Sequence, residues 1–369
     1  MKRKIKLKIN GESPRSIFLA FVLAKLKFDI YLYDFLINSN SNKDYQIFLF
    51  SNHSKNLLIK FDIWNQIKDI SYSINSLSIR DNLISEQLLL QTENLSKNYF
   101  NNIGWTANYS DIKRLLINKL INFDNVHFVS RNQLIDDSLI FDYEFNFIDN
   151  YKLINKIKLP LSIFKRLEEQ VLIFNVYLRG HVEKRLYEIN TTKGLLVLTP
   201  LNKNLYQIIW NNPPFQIKET SLNSKSLFLD NLTTLLPYEF KIDQILGKVD
   251  SFYVRKNSST YLIRDKLIYI NENKFKSNTL YDFNFDTFIK YILKLNIFLD
   301  DNKTKNIKLL NRFSFNFLLR KYYHITSNIS FSKSLLSLFI LNNIYSLFIR
   351  KLLFILFRRV NLLKIFFTR

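Results

Sequence analysis

The chain has no cysteine, so disulfides, thiolate nucleophiles and Cys-ligated metals are excluded. Its histidines are His53, His127, His181 and His324, which form no HExxH and no close pair. Nothing in that set points to a metal centre, and no metal ligand is expected. Glycine and proline are scarce, 5 and 6 among 369 residues, while Lys, Asn, Ile, Leu and Phe abound. Such a bias suits AT-rich coding, which disfavours glycine even where a turn would use it. Acidic residues are also short. Lys and Arg outnumber Asp and Glu by 53 to 31, giving a net charge of +22. The imbalance concentrates at the end, because Asn302–Arg369 holds 13 Lys or Arg and no acid. A balance of this sign favours anionic partners: nucleic acid, an acidic membrane or a phosphorylated ligand. No zinc finger, RNP motif or KH signature is present, so nucleic acid is not the expected one.

What is present is enough apolar residue, 47%, to bury a sizeable core over one or two domains. The opening MKRKIKLKINGES is basic without an apolar run before Gly11, and reads as a strand rather than a signal peptide. Ile5, Leu7 and Ile9 alternate with lysines over Lys4–Asn10. A turn at Gly11–Arg15 follows, then a helix over Ser16–Lys27 and a strand DIYLY over Asp29–Tyr33, ending at Asp34. That is a βαβ unit, the seed of a doubly wound sheet. Helices are also predicted over Ser54–Lys68, Asp111–Asn122, Asn223–Leu236 and Thr287–Leu299. Helical patterns dominate from Arg312 onward.

Between them the period changes. VLIFNVYL (Val171–Leu178), KRLYEI (Lys184–Ile189), LLVLTPL (Leu195–Leu201) and NLYQIIW (Asn204–Trp210) read as four consecutive strands of an antiparallel sheet. The fold class is therefore α/β, a Rossmann-like dinucleotide-binding domain with an inserted antiparallel sheet and a helical C-terminal tail. The divisions expected are 1–160 with 245–300, then 161–244, then 301–369.

The segment INGESPRSIFLAFVLAKLKFDIYLYD resembles the opening of the FAD-dependent aromatic-ring hydroxylases of ubiquinone biosynthesis, whose fingerprint reads G-x-G-P-x-G. Gly11, Ser13 and Ser16 take the three glycine places, Pro14 the proline, and Asp34 the acidic place for the ribose hydroxyls. Further matches keep the family's order. SNHSKNLLIKFDIW (Ser51–Trp64) is one, and IGWTANYSDIKRLLINKL, which puts Lys113 at the family's Arg, is another. KRLYEINTTKGLLVLTPL and the terminal LLNRF also match. The family's second motif, GADG, falls on Phe147–Asn150 and leaves Asp149 as its aspartate. Its third, GDAAH, falls on Asn271–Phe275 with Glu272 at the aspartate or, in a shifted register, on Leu262–Asp265; Asp282–Asn284 stands where the family has GQG. The resemblance covers about 300 residues, but most motif glycines are replaced.

The resemblance implies FAD as cofactor, bound weakly or lost, and NAD(P)H as reductant. Gly11, Ser13, Pro14, Asp34, Lys113, Asp149 and Glu272 would hold the flavin. No catalytic side chain is assigned, since the oxygenation belongs to the cofactor. The implied substrate is a polyprenylated aromatic quinone precursor, and other quinone-biosynthesis enzymes are implied partners. A second reading, a non-catalytic membrane-surface or quinone-binding descendant, stays open. Residues 331–369 are Leu/Phe-rich with basic positions. Lys333, Lys351, Arg358 and Arg369 fall within about 20° on a helical projection, while Lys364 faces nearly opposite. The longest uncharged run, Ser334–Ile349, is 16 residues and too short to span a bilayer. A cytoplasmic protein lying on the anionic inner face of a membrane is the expectation, the alternative being that these helices pack on the body of the protein with their lysines solvated.

Overall fold

The computed structural model describes residues 5–11, 13–33, 47–92, 102–129, 140–148, 168–211, 223–255, 261–264, 266–272, 288, 292 and 344–359. The alternating KLKIN forms strand β1 (Lys6–Asn10), with Leu7 and Ile9 buried. Helix α1 (Pro14–Lys25) follows, and it is buried from Pro14 to Ala24, as an almost wholly apolar helix must be. Strand β2 (Asp29–Tyr33) completes the unit, in parallel register with β1 from Lys6↔Asp29 to Asn10↔Tyr33.

Next come β3 (Ile47–Ser51), α2 (Asn52–Lys60) and α3 (Trp64–Asp69). The sequence predicts one helix over Ser54–Lys68. The structure breaks it at Asp62, whose φ of 52° is left-handed and cannot continue a helix. Strands β4 (Tyr72–Ile74), β5 (Ser76–Asp81), β6 (Glu86–Gln91) and β7 (Gly104–Asn108) lead into helix α4 (Tyr109–Leu120). Asp111 lies in the first turn of α4, where a carboxylate opposes the positive helix end. Strands β8 (Val126–Val129) and β9 (Tyr143–Ile148) come next. After them run β10 (Glu168–Arg179), β11 (Arg185–Thr191), β12 (Gly194–Pro200) and β13 (Leu205–Asn211), the four strands read from the sequence. Helix α5 (Asn223–Leu235), β14 (Lys241–Arg255), β15 (Tyr261–Arg264), β16 (Leu267–Asn271) and α6 (Ile344–Arg359) complete the order. The predicted helix over Thr287–Leu299 falls largely outside the described residues.

Three sheets result. The first has the order β15-β16-β9-β1-β2-β8, parallel except for the β15–β16 pair. Its helices α1 and α4 join it in one apolar cluster containing Leu7, Ile9, Phe18, Phe21, Ile30, Ile112, Leu116 and Phe145. The second has the order β14-β10-β13-β12-β11-β5-β6, and of its pairs only β11–β5 is parallel. This sheet is not confined to residues 161–244, since β5 and β6 join it from earlier in the chain. One face packs α5 through Phe228, Leu232 and Leu235. The other carries Leu77, Ile79, Leu88, Leu90, Val171, Ile173 and Ile209, together with Phe354 of α6. A third sheet, β3-β7-β4, is small and antiparallel. The architecture is thus mixed α/β, with a parallel sheet and a larger antiparallel one. Among the described residues no helix is long and apolar enough to cross a membrane.

Candidate functional site

In a parallel sheet the strands' carboxyl ends share one edge, and ligands bind in the crevice outside it. Here β1, β2, β9 and β16 run in the same direction, so Asn10, Tyr33, Ile148 and Asn271 end at that edge. The chain leaves β1 through Gly11 at φ 144°, a backbone state that L side chains rarely adopt. A Cβ built there would lie 2.9 Å from Phe147 Cβ on β9. Both facts demand glycine at this turn.

Ser13 and Ser16, which take the second and third glycine places of the resemblance, tie the turn together. Ser13 is the N-cap of α1 at φ −74°, ψ 148°, and its Oγ accepts from Ser16 N at 3.1 Å. Ser16 Oγ donates to the carbonyls of Gly11 at 2.8 Å and Ser13 at 2.6 Å. Pro14 opens the helix, where its missing N–H costs nothing. The turn thus keeps its shape with one glycine because two hydroxyls hold it.

Across the turn lies Glu272, directly after β16 and 2% exposed. The Ser13 hydroxyl donates to Glu272 Oε1. Arg15 Nη1 donates to Glu272 Oε2 at 3.0 Å, with both side chains almost completely buried. The Arg15 guanidinium lies 5.2 Å from the Phe48 ring centroid and 5.7 Å from that of Tyr109, and those two rings stack at 4.9 Å. Arg15 Nη1 also reaches the Tyr109 hydroxyl at 3.4 Å. A buried charge needs compensation of this kind, and here it comes from one carboxylate and two aromatic faces.

The structure therefore brings Gly11, Ser13, Pro14 and Glu272 together. Lys113 stands half-buried on α4, one turn beyond Tyr109, on a helix packed along α1. Asp34 and Asp149 lie outside the described residues. Arg15, Tyr109 and Phe48 complete the site. A basic residue one place after Pro14 carries no sequence signal that it will be buried. Tyr33, at the β2 end of the crevice, has its phenol pKa raised by burial first, then by the Glu144 charge and by Tyr31. Burial, with a lesser contribution from Asp142, pushes Tyr143 up to about 12. Both therefore remain neutral hydrogen-bonding groups at neutral pH. Among the described residues no group of three His, Cys, Asp or Glu side chains could hold a metal ion.

The sequence matches no family model, and no curated protein matches it. Solved structures do. The probable FAD-dependent monooxygenase pqsL from Pseudomonas aeruginosa superimposes with a TM-score of 0.62 at 11% identity, over 89% of this chain and 94% of that one. The p-nitrophenol 4-monooxygenase PnpA from Pseudomonas putida DLL-E4 gives 0.60 at 13% identity, over 85% and 83%. The flavin-dependent halogenase CmlS gives 0.63 at 11% identity, over 92% of this chain and 65% of that one. The chain has the fold of FAD-dependent monooxygenases and flavin-dependent halogenases.

Proposed function

We propose that this protein is an FAD-dependent, NAD(P)H-reduced monooxygenase that hydroxylates a polyprenylated aromatic quinone precursor at a membrane surface, and that it holds its flavin weakly. The observation that carries the reading is the meeting of the Gly11–Ser16 turn with Glu272 at the carboxyl edge of the parallel sheet. In doubly wound sheets the dinucleotide crevice lies at such an edge, which supports the reading.

The residues present suit FAD there in three respects. Gly11 makes the tight turn that lets a diphosphate approach backbone. The N-terminus of α1 supplies positive potential for phosphate, with the Arg15 guanidinium beside it paired to Glu272. Glu272 supplies a carboxylate that would accept from the ribityl hydroxyls. In one respect they suit it less well, because Ser13 puts a Cβ where the fingerprint leaves backbone bare. When bound, flavin supplies the oxygen transfer; the chain's own part is to hold it, exclude water and place the ring of the substrate.

Its placement on a membrane is supported by α6. Tyr345, Phe348, Ile349, Leu352 and Leu356 are exposed and share about 100° of helical arc, with Lys351 and Arg358 alongside. The non-catalytic reading has its own support in the engagement of Ser13 and Arg15 by Glu272. The two readings part on flavin. Purified protein is expected to carry little of it and to take up added FAD with micromolar or weaker affinity, measured by quenching of flavin fluorescence. A chain that binds no FAD at millimolar concentration is the non-catalytic descendant.

A further inference from the structure

We propose that Glu272 is an internal stand-in for the diphosphate: it holds Ser13 and Arg15 until an anionic dinucleotide displaces it. The inference deepens the flavin reading and rests on it.

A helix N-terminus and a neighbouring guanidinium form an anion site, and an anion already occupies this one. Glu272 places one carboxylate oxygen on the N-cap hydroxyl of α1 and the other on Arg15. The two charges lie in a volume from which water is almost absent, so each needs the other. Arg15 has little freedom to turn away, because Phe48 and Tyr109 flank it. The cation that would receive a phosphate therefore stays in place and is already neutralised. A diphosphate arriving at Ser13 meets the Glu272 carboxylate rather than net positive charge. To bind, it must displace Glu272 from Ser13 and share or claim Arg15, leaving Glu272 to turn toward the ribityl side.

The length of the side chain matters. The resemblance puts an aspartate at this position, and glutamate is one methylene longer. That extra reach lets a carboxylate anchored at the end of β16 meet Ser13 at the start of α1. If the closed arrangement is favoured by some factor over the open one, the apparent affinity for FAD falls by nearly the same factor. The lock thus gives a physical cause for weak flavin binding that is separate from the lost glycines.

Two conservative variants test it in the full-length chain. Glu272→Asp keeps a carboxylate but withdraws it from Ser13. Ser13→Ala removes the hydroxyl but keeps the Cβ, so any gain cannot come from extra room. FAD and, separately, inorganic pyrophosphate would be titrated into both variants and the unaltered protein. The expectation is that Glu272→Asp binds FAD at least tenfold more tightly, that Ser13→Ala shifts in the same direction, and that pyrophosphate follows. FAD binding to the unaltered chain with equal or weaker binding by both variants overturns the lock and leaves the flavin reading standing. A gain for pyrophosphate with no FAD binding by any of the three sustains the lock and sinks the flavin reading. No binding of either probe by either variant overturns the lock.

Discussion

At the scale of single residues, the turn after β1 keeps its shape with a single glycine. Only the first place needs glycine for its backbone, because φ there is 144° and Phe147 Cβ would stand 2.9 Å from any added Cβ. Ser13 and Ser16 occupy ordinary conformations and repay their bulk in hydrogen bonds. Gly11→Ala is therefore expected to lower stability by about 1–3 kcal/mol through backbone strain and crowding against β9, read from urea unfolding. A change within about 0.5 kcal/mol would mean that the turn does not hold this conformation. Gly11, Ser13 and Pro14 were legible in the sequence because turn chemistry is local. Glu272 was placed by motif order alone, and its partners lie 257 and 259 residues away. Arg15 was legible only as the residue that closes the turn. No rule of spacing announces that a helix-opening arginine will be caged by rings from β3 and α4.

Among elements, β2 was read to the residue and the run from β10 to β13 to within three residues at each end. The β5–β6 hairpin was missed, since SLSIRD and EQLLLQ mix polar and apolar residues and join their sheet by pairing with a distant β11. Strand β14 was missed as well: Gly247, at φ 67°, interrupts its alternation. Helix α6 shows what the sequence could suggest but not complete. Lys351 and Arg358 were read as part of one basic surface and Arg350 was not assigned a place; it is fully buried against Asp81, with Nη1 to Oδ2 at 2.9 Å. Asp81 also accepts from Asn190 at 3.2 Å and from Leu83 N at 3.0 Å. Arg358 pairs with Glu86 at 2.6 Å and donates to the Gln87 carbonyl, while Phe354 enters the core between the β5 and β6 side chains. Removing one partner of a buried ion pair strands the other charge. Arg350→Met should accordingly cost about 3–5 kcal/mol in urea unfolding. Adding Asp81→Leu should recover only part of that: no carboxylate is then left bare, but the Asn190 and Leu83 donors lose their acceptor. A single-variant loss below about 1 kcal/mol would mean that the pair does not hold α6 in place.

For the molecule as a whole, the docking of α6 decides which of its surfaces faces outward. The helix spends its Ser346, Arg350 and Phe354 side on the antiparallel sheet and turns Tyr345, Phe348, Ile349, Leu352 and Leu356 to the outside, with Phe348 64% exposed. Single exposed apolar residues are ordinary, but a stripe along one helix rimmed by Lys351 and Arg358 is not. The chain around it carries +22 overall and no acid after Asp301. Long-range attraction to an anionic surface and short-range burial of the stripe would act together. Cations near such a surface contribute on the order of 1 kcal/mol each, and the attraction fades within a Debye length as salt rises. The folded protein is therefore expected to co-sediment with vesicles containing phosphatidylglycerol, much less with neutral phosphatidylcholine, and progressively less as salt is raised. Phe348→Glu with Leu352→Glu should abolish the binding while leaving unfolding transitions unchanged, since neither side chain is part of the buried core. Binding to anionic vesicles that survives both substitutions would exclude α6 as the contact. Binding insensitive to salt would exclude the electrostatic half of the argument and leave burial of apolar side chains as the only cause.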